Sequence, residues 1–222
     1  FNAKKIKNII SKRPFPNILG VNNNSNYNDL KNFSNKLVKV EAQRYSYLNI
    51  DYQNNNINSQ LSSENNHKIK LLILGDANHI YNNFHINLIP INILFLKSYK
   101  IFYKPHPLNL KKISLSKKID VRIINEKLSN VISNFDLIYA PSKSSSILDA
   151  YCSGKPTISS MIPGYINFSP LKNNKDIIFI RSKKEFIKVI EKFLKIIKSQ
   201  KKEYFYLNEE YKLWLNLIKS NL

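Results

Sequence analysis

From Lys68 onward the chain repeats one pattern: a short apolar run, a turn residue, then a segment with helical spacing. Ile69-Lys70-Leu71-Leu72-Ile73-Leu74 stops at Gly75-Asp76 and predicts a buried strand, followed by a polar helical segment. Ile101-Phe102-Tyr103 predicts a second strand halted by Pro105 and Pro107, and Val121-Arg122-Ile123-Ile124 a third. Leu128, Val131, Ile132 and Phe135 then have helical spacing. Leu137-Ile138-Tyr139-Ala140 predicts a fourth strand ended by Pro141, and a short helix from Ser146 to Tyr151 stops at Gly154. Pro156-Thr157-Ile158-Ser159 opens a fifth strand, and Ile177-Ile178-Phe179-Ile180 is a sixth. Short apolar strands alternating with helices predict an α/β fold, a Rossmann-like parallel sheet flanked by helices. Phe186, Val189, Ile190, Phe193, Leu194 and Ile197 predict a long C-terminal amphipathic helix with lysines on its other face. Leu207, Tyr211, Trp214 and Ile218 predict a last one.

Residues 1–66 read differently. The Asn clusters at 22–24 and 54–56 mark loops, and the Asn-rich stretch to Asn66 marks a linker. Between them Leu37, Val38, Val40, Ala42, Tyr45 and Leu48 fit either one helix or a strand followed by a helix. The expected division is 1–66 as the remnant of an N-terminal domain plus linker, 67–200 as the Rossmann-like domain, and 201–222 as a C-terminal helix.

The composition narrows the classes. Of 222 residues, 43% are hydrophobic and 23% charged, which excludes wholesale disorder. A single Cys excludes a disulfide scaffold and a Cys-cluster zinc site, and a reducing cytoplasm fits it. No apolar run reaches the ~18 residues of a membrane span; Ile86 to Leu96 comes nearest and is broken by Asn87, Pro90 and Asn92. The chain begins with Phe1 rather than Met, so it is expected to be a piece of a longer protein. The net charge of +20 has two readings. Codon bias in an AT-rich genome puts Lys on every solvated face; alternatively the chain meets an anionic partner. Nucleic acid is not the expected partner, because Arg13, Arg44, Arg122 and Arg181 are scattered and no nucleic-acid-binding motif is present.

In open α/β sheets ligands bind beyond the carboxyl ends of the strands, so two loops carry the candidate chemistry. In Tyr103-Lys104-Pro105-His106-Pro107 the prolines restrict His106 and Lys104 to extended backbone, leaving a cation at the root of a stiff loop and an imidazole at its tip. His106 can donate to a phosphate oxygen there, or be an ordinary loop histidine. In Ser142-Lys143-Ser144-Ser145-Ser146 a strand passes through serines into a helix, whose free N–H groups, dipole and hydroxyls suit an anion. Plain capping is the alternative: Ser146 with Asp149 three residues on resembles a capping box. Asp149 is also placed to accept from a ribose. Asp76 is expected to cap the helix after the first strand, and His67, His79 and His85 show no mutual ligand spacing. Walker, GxGxxG, HExxH, Gly-x-Ser-x-Gly and Asp-x-Asp motifs are absent, which disfavours a divalent-metal enzyme of the usual kind.

Lys-Pro-His-Pro at 104–107, followed by Ser-Ser-Ser-x-Leu-Asp-Ala-x-x-x-Gly-Lys-Pro at 144–156, resembles the C-terminal, donor-binding half of GT-B glycosyltransferases of bacterial surface polysaccharide synthesis. Sialyl- and polysialyltransferases, Kdo transferases and CDP-glycerol glycerophosphotransferases have similar stretches. Val40-Glu41-Ala42-Gln43-Arg44-Tyr45-Ser46-Tyr47-Leu48 looks like a segment that precedes this domain in surface carbohydrate proteins. The resemblance covers about residues 36–182. It implies a GT-B C-terminal domain and metal-independent sugar transfer from a nucleotide donor, CMP-linked, to a glycan or lipid-linked acceptor of lipopolysaccharide or capsule. By the resemblance His106 would be catalytic and touch the donor phosphate, and Ser144 and Ser145 would hold it from the helix end; Lys104, Ser146 and Asp149 join the expected donor site through their places at the same strand ends. No cofactor beyond the donor and no metal is implied. The family's acidic general-base motif lies in an N-terminal domain and has no counterpart here. The protein would be cytoplasmic, peripheral on the inner membrane face, with its basic C-terminal helices either on anionic lipid or packed on the missing domain. A non-catalytic nucleotide- or glycan-binding module and a sugar-nucleotide epimerase of the same fold are the alternatives.

Overall fold

A computed structural model describes residues 17–31, 36–48, 68–90, 92–109, 120–193 and 203–220. In chain order its main elements are β1 (Leu19–Val21), α1 (Asn24–Leu30), β2 (Leu37–Lys39), β3 (Ile69–Leu74), α2 (His79–Asn87), α3 (Ile93–Ser98), β4 (Tyr99–Lys104), β5 (Val121–Ile123), α4 (Leu128–Val131), β6 (Leu137–Pro141), α5 (Ser146–Cys152), β7 (Thr157–Ser160), β8 (Ile177–Ile180), α6 (Lys183–Phe193) and α7 (Lys212–Lys219). They fall into two compact units, Phe1–Ser59 with Glu203–Leu222, and Gln60–Lys202.

The larger unit is α/β. Its six described strands are all parallel, in the order β5-β4-β3-β6-β7-β8. Counted within the unit this is third, second, first, fourth, fifth, sixth, the order of a Rossmann-like sheet. Every predicted strand is present. β4 starts two residues earlier than expected, and Pro141 lies inside β6 rather than after it, paired with Ser160 at the strand's last position. There the missing N–H costs little, because the ladder ends. Helix α3 carried no expectation from the pattern. Leu71, Ile73, Ile101, Tyr103, Leu137 and Tyr139 face one core with Phe95 of α3 and with Phe186 and Ile190 of α6. The alternate residues Leu72, Leu74, Ile138 and Ala140 are buried too. Burial on both faces is why these strands read as unbroken apolar runs.

In the smaller unit β1 pairs in parallel with β2 across α1. Asn22 and Asn23 form the connection from β1 to α1, as expected, but Asn24 already belongs to the helix and Asn23 caps it, its Oδ1 accepting from Asn26 N at 2.8 Å. Asparagine is among the best cap residues, so such a cluster marks a helix start as readily as a turn. Of the two readings for 37–48, the strand comes first, followed by a 3-10 turn at Gln43–Tyr45. The C-terminal segment belongs to this unit. Ala42 N donates to Tyr206 O, Tyr206 N to Asn22 O, and Phe205 stacks on Tyr45 at 4.0 Å between ring centroids.

Two helix expectations change. α7 starts at Lys212, leaving Leu207 and Tyr211 ahead of it; Tyr211 has φ 48° in the left-handed region, which no right-handed helix admits. The described part of the amphipathic helix is Lys183–Phe193. Its expected continuation through Leu194 and Ile197 lies outside the described residues, as do the Asn cluster at 54–56 and His67.

Candidate functional site

The strand order reverses between β3 and β6, and ligands of this fold class bind where it does, beyond the carboxyl ends. Gly75-Asp76 follows β3, Pro105 to Asn109 follow β4, and Ser142 to Ser145 follow β6. Lys104, His106 and Ser144–Ser146 therefore lie at or beyond this edge, whereas Asp149 lies inside α5. His106 and the serine turn are separated by β3, roughly two strand spacings or ~10 Å.

The His106 loop is bound to the end of β3. Gly75 N donates to Lys104 O at 2.8 Å. A Cβ on Gly75 would stand 2.6 Å from the Tyr103 hydroxyl and 2.9 Å from His106 N, so only glycine lets the loop come this close. Asn109 Nδ2 reaches the Asp76 carbonyl at 3.0 Å, and the half-buried His106 accepts from Leu108 N at Nδ1. Asp76 is not the helix cap. Asn78 is, with Oδ1 accepting from Ile80 N and Tyr81 N, while Asp76 holds Asn78 N at 2.8 Å.

Lys104 turns away from the serine turn. Its Nζ donates to the Glu126 carbonyl beyond β5, and burial lowers its pKa against the opposing pull of Glu126. At the start of α5 the hydroxyls of Ser144 and Ser146 lie 2.7 Å apart, and Ser144 Oγ accepts from Ser146 N. The capping box does not form. The helix already begins at Ser146, the cap position is Ser145, and Ser144 supplies the side-chain acceptor one residue earlier. Asp149 is buried within α5. The remainder of that motif, Gly154-Lys155-Pro156, lies at the opposite, amino edge of the sheet. There Gly154 ends α5 with φ 73° and Lys155 Nζ donates to Ser133 O at 2.7 Å, its pKa lowered by burial.

The crevice at the reversal point is lined by Asp76 and the first two residues of the serine turn together with residues from other elements. Asp76, Tyr81, Ser142, Lys143, Ser160 and Tyr165 border it, with Phe84 and Met161 beneath. Lys143 Nζ donates to the Tyr81 hydroxyl at 2.8 Å and stands 4.1 Å and 5.0 Å from the centroids of the Tyr81 and Tyr165 rings. The rings meet edge-on at 6.1 Å. The crevice, about 340 Å³ including its open mouth, is narrow and as it stands has room for about one water. A nucleotide would lie in the mouth or displace the Lys143 side chain. Lys143 stood inside a quoted motif, but Tyr81 and Tyr165 had no signal beyond their nearness to strand ends. Behind the crevice His85 is fully buried against Ser160 and Tyr139. The smaller unit holds a wider groove, about 1140 Å³ including its open mouth, but its carboxylate, Glu41, is committed to capping α7.

Among the described residues no cluster of His, Cys, Asp and Glu could hold a metal ion, and no helix is long and apolar enough to cross a membrane. Comparison with protein-family models, with curated proteins and with solved structures finds no match.

Proposed function

We propose that this chain carries the nucleotide-sugar-binding half of a GT-B-like glycosyltransferase of surface carbohydrate synthesis, using a CMP-linked donor. One observation carries the reading: a six-stranded sheet in Rossmann-like order whose point of reversal is a crevice bearing Lys143, Ser142 and two tyrosines. An ammonium, hydroxyls and aromatic rings suit a phosphate next to a flat base or sugar. In the transfer, the bond from the anomeric carbon to the donor phosphate oxygen breaks as an acceptor oxygen attacks. Negative charge grows on the departing phosphate, and fixed cations and hydroxyls stabilise it. In this reading Lys143 and Ser142, which border the crevice, fill that role, and His106 stands on the neighbouring loop, on the far side of β3. The acceptor's proton goes to a base outside the residues described.

Calorimetry with CMP, CDP and UDP tests the reading. CMP is expected to bind, with unchanged affinity in EDTA; no binding of any nucleotide removes the proposal. Hydrolysis of a CMP-sugar then separates an enzyme from a binding module that does no chemistry.

A further inference from the structure

Most exposed large apolar side chains described in the Rossmann-like unit stand at one edge. Tyr165, Ile166 and Phe168 are 54%, 71% and 70% exposed in the loop after β7. Ile80, 63% exposed, lies at the start of α2 beyond β3, and Leu108, 82% exposed, follows β4. Ile123, on the edge strand β5, is the exception among the described residues. Scattered exposed apolar residues need no explanation, but a group along one rim marks an interaction surface.

The loop after β7 is built to hold its tip outward. Met161 N pairs with Ile180 O at 2.8 Å, fixing the first root. Tyr165 N closes a turn on Ile162 O, in which Gly164 takes φ 79° with open space where a Cβ would be. Ser169 and Leu171 are buried, and Leu171 N donates to Ser169 Oγ at 3.2 Å, fixing the second root. Ile166 and Phe168 are raised between two anchored ends.

Charge selects the partner. Lys143 stands beside Tyr165, and Arg181, Lys183 and Lys184 follow β8 at this same edge, with Arg181 Nη2 against Met161 Sδ at the root of the loop. Of the carboxylates near this edge, Asp76 is buried on Asn78 N and Glu185 accepts from Arg181 N, while Glu126 follows β5 at the far side of the sheet; Asp176, like Lys175, precedes β8 at the amino edge. The chain as a whole is +20. We infer that this carboxyl-edge rim seats on an anionic lipid surface, with Ile166 and Phe168 entering the acyl boundary. Tyr165 suits the headgroup level, and Lys143, Arg181, Lys183 and Lys184 the phosphates. The inference does not depend on nucleotide binding; it requires only the exposed loop and the cations at this edge.

Flotation of the full chain with phosphatidylglycerol-rich vesicles and with phosphatidylcholine vesicles tests it. The chain is expected to float with the anionic vesicles only, and less so as salt rises towards ~0.5 M. The double variant Ile166→Ser, Phe168→Ser keeps every charge and is expected to bind about tenfold more weakly. Phe168→Trp in a Trp214→Phe background is expected to be quenched by brominated anionic lipid. Equal binding by wild type and double variant would reduce the effect to net charge and overturn the inference. So would failure of wild type to float, or indole emission from the Phe168→Trp variant that brominated lipid leaves unquenched. Self-association of wild type, lost in the double variant and without vesicle binding, would identify the rim as a protein interface instead.

Discussion

His85 Nδ1 lies 2.6 Å from the hydroxyl of Ser160, and the imidazole stacks on Tyr139 with ring centroids 3.9 Å apart. The histidine is fully buried, and burial outweighs the backbone of Leu74 to hold its pKa down to about 3. The ring is therefore neutral at working pH. The neutral ring holds the Ser160 hydroxyl through Nδ1 at the border of the crevice. A base with so low a pKa is a poor proton acceptor near neutrality, so the pair positions a hydroxyl rather than activating one.

The pH dependence of folding follows with a definite sign. Unfolded, His85 takes a proton near pH 6.5; folded, it resists until about pH 3. Above 6.5 neither state is protonated and the contribution is constant. As pH falls below 6.5 only the unfolded chain gains the proton, and stability drops by up to ~1.4 kcal/mol per pH unit. Urea unfolding of wild type and His85→Phe between pH 7 and 4 measures this. The variant starts less stable and its acid slope is shallower; parallel curves would contradict the buried neutral ring.

Gly75→Ala probes the joint between β3 and the His106 loop. The added methyl meets a tyrosine hydroxyl and a backbone nitrogen, and backbone cannot swing aside. A loss of ~1–3 kcal/mol is expected, as for an overpacked core. Tyr103→Phe in the same chain relieves the hydroxyl contact but not the one to His106 N, so recovery is partial in a double-mutant cycle. Full recovery would mean that the loop itself is free to move.

The two lysines divide differently from their places in the motifs. Lys143 faces the crevice between two tyrosines, whereas the Lys104 ammonium is held by the Glu126 carbonyl. Lys143→Gln is expected to weaken CMP about tenfold, the size of one charge-assisted hydrogen bond. Lys104→Gln is expected to change it less than about twofold, because its cation is turned towards β5. Calorimetry at fixed ionic strength decides; a larger loss at Lys104 would return the phosphate to the His106 side.

The sheet was readable because burial on both faces leaves runs such as Leu71–Leu74 without polar interruption. Strand order followed less directly, since a run of apolar residues does not name its neighbours. The loops carrying Lys104, His106 and Ser144–Ser146 were also readable, from prolines and serines at strand ends. What they converge on was not. Lys104 Nζ and the Ser144 hydroxyl are taken by partners inside the protein, Glu126 O and Ser146, and such partners have no mark in spacing. Tyr81 and Tyr165 reach one crevice from elements far apart in the chain, through the order of strands alone.

The segment from Val40 to Leu48 finds its physical role in Glu41. Helix α7 follows Tyr211, which offers no side-chain cap, so its first amides need an acceptor from elsewhere. Glu41 provides both oxygens: Oε1 accepts from Leu213 N at 2.7 Å and Oε2 from Trp214 N at 3.0 Å. Its backbone carbonyl takes the Trp214 indole N–H at 3.0 Å. The carboxylate is buried and lies at the positive end of the helix, so charge and hydrogen bonding act together. Glu41→Ala removes both acceptors and is expected to cost ~2–4 kcal/mol within this unit. Glu41→Gln keeps one oxygen and falls between. Trp214 is the chain's single tryptophan, so its emission reports on this helix alone. Its urea midpoint should fall in the order wild type, Gln, Ala; an Ala variant that unfolds with the wild-type midpoint would show that α7 is held by packing and not by the carboxylate.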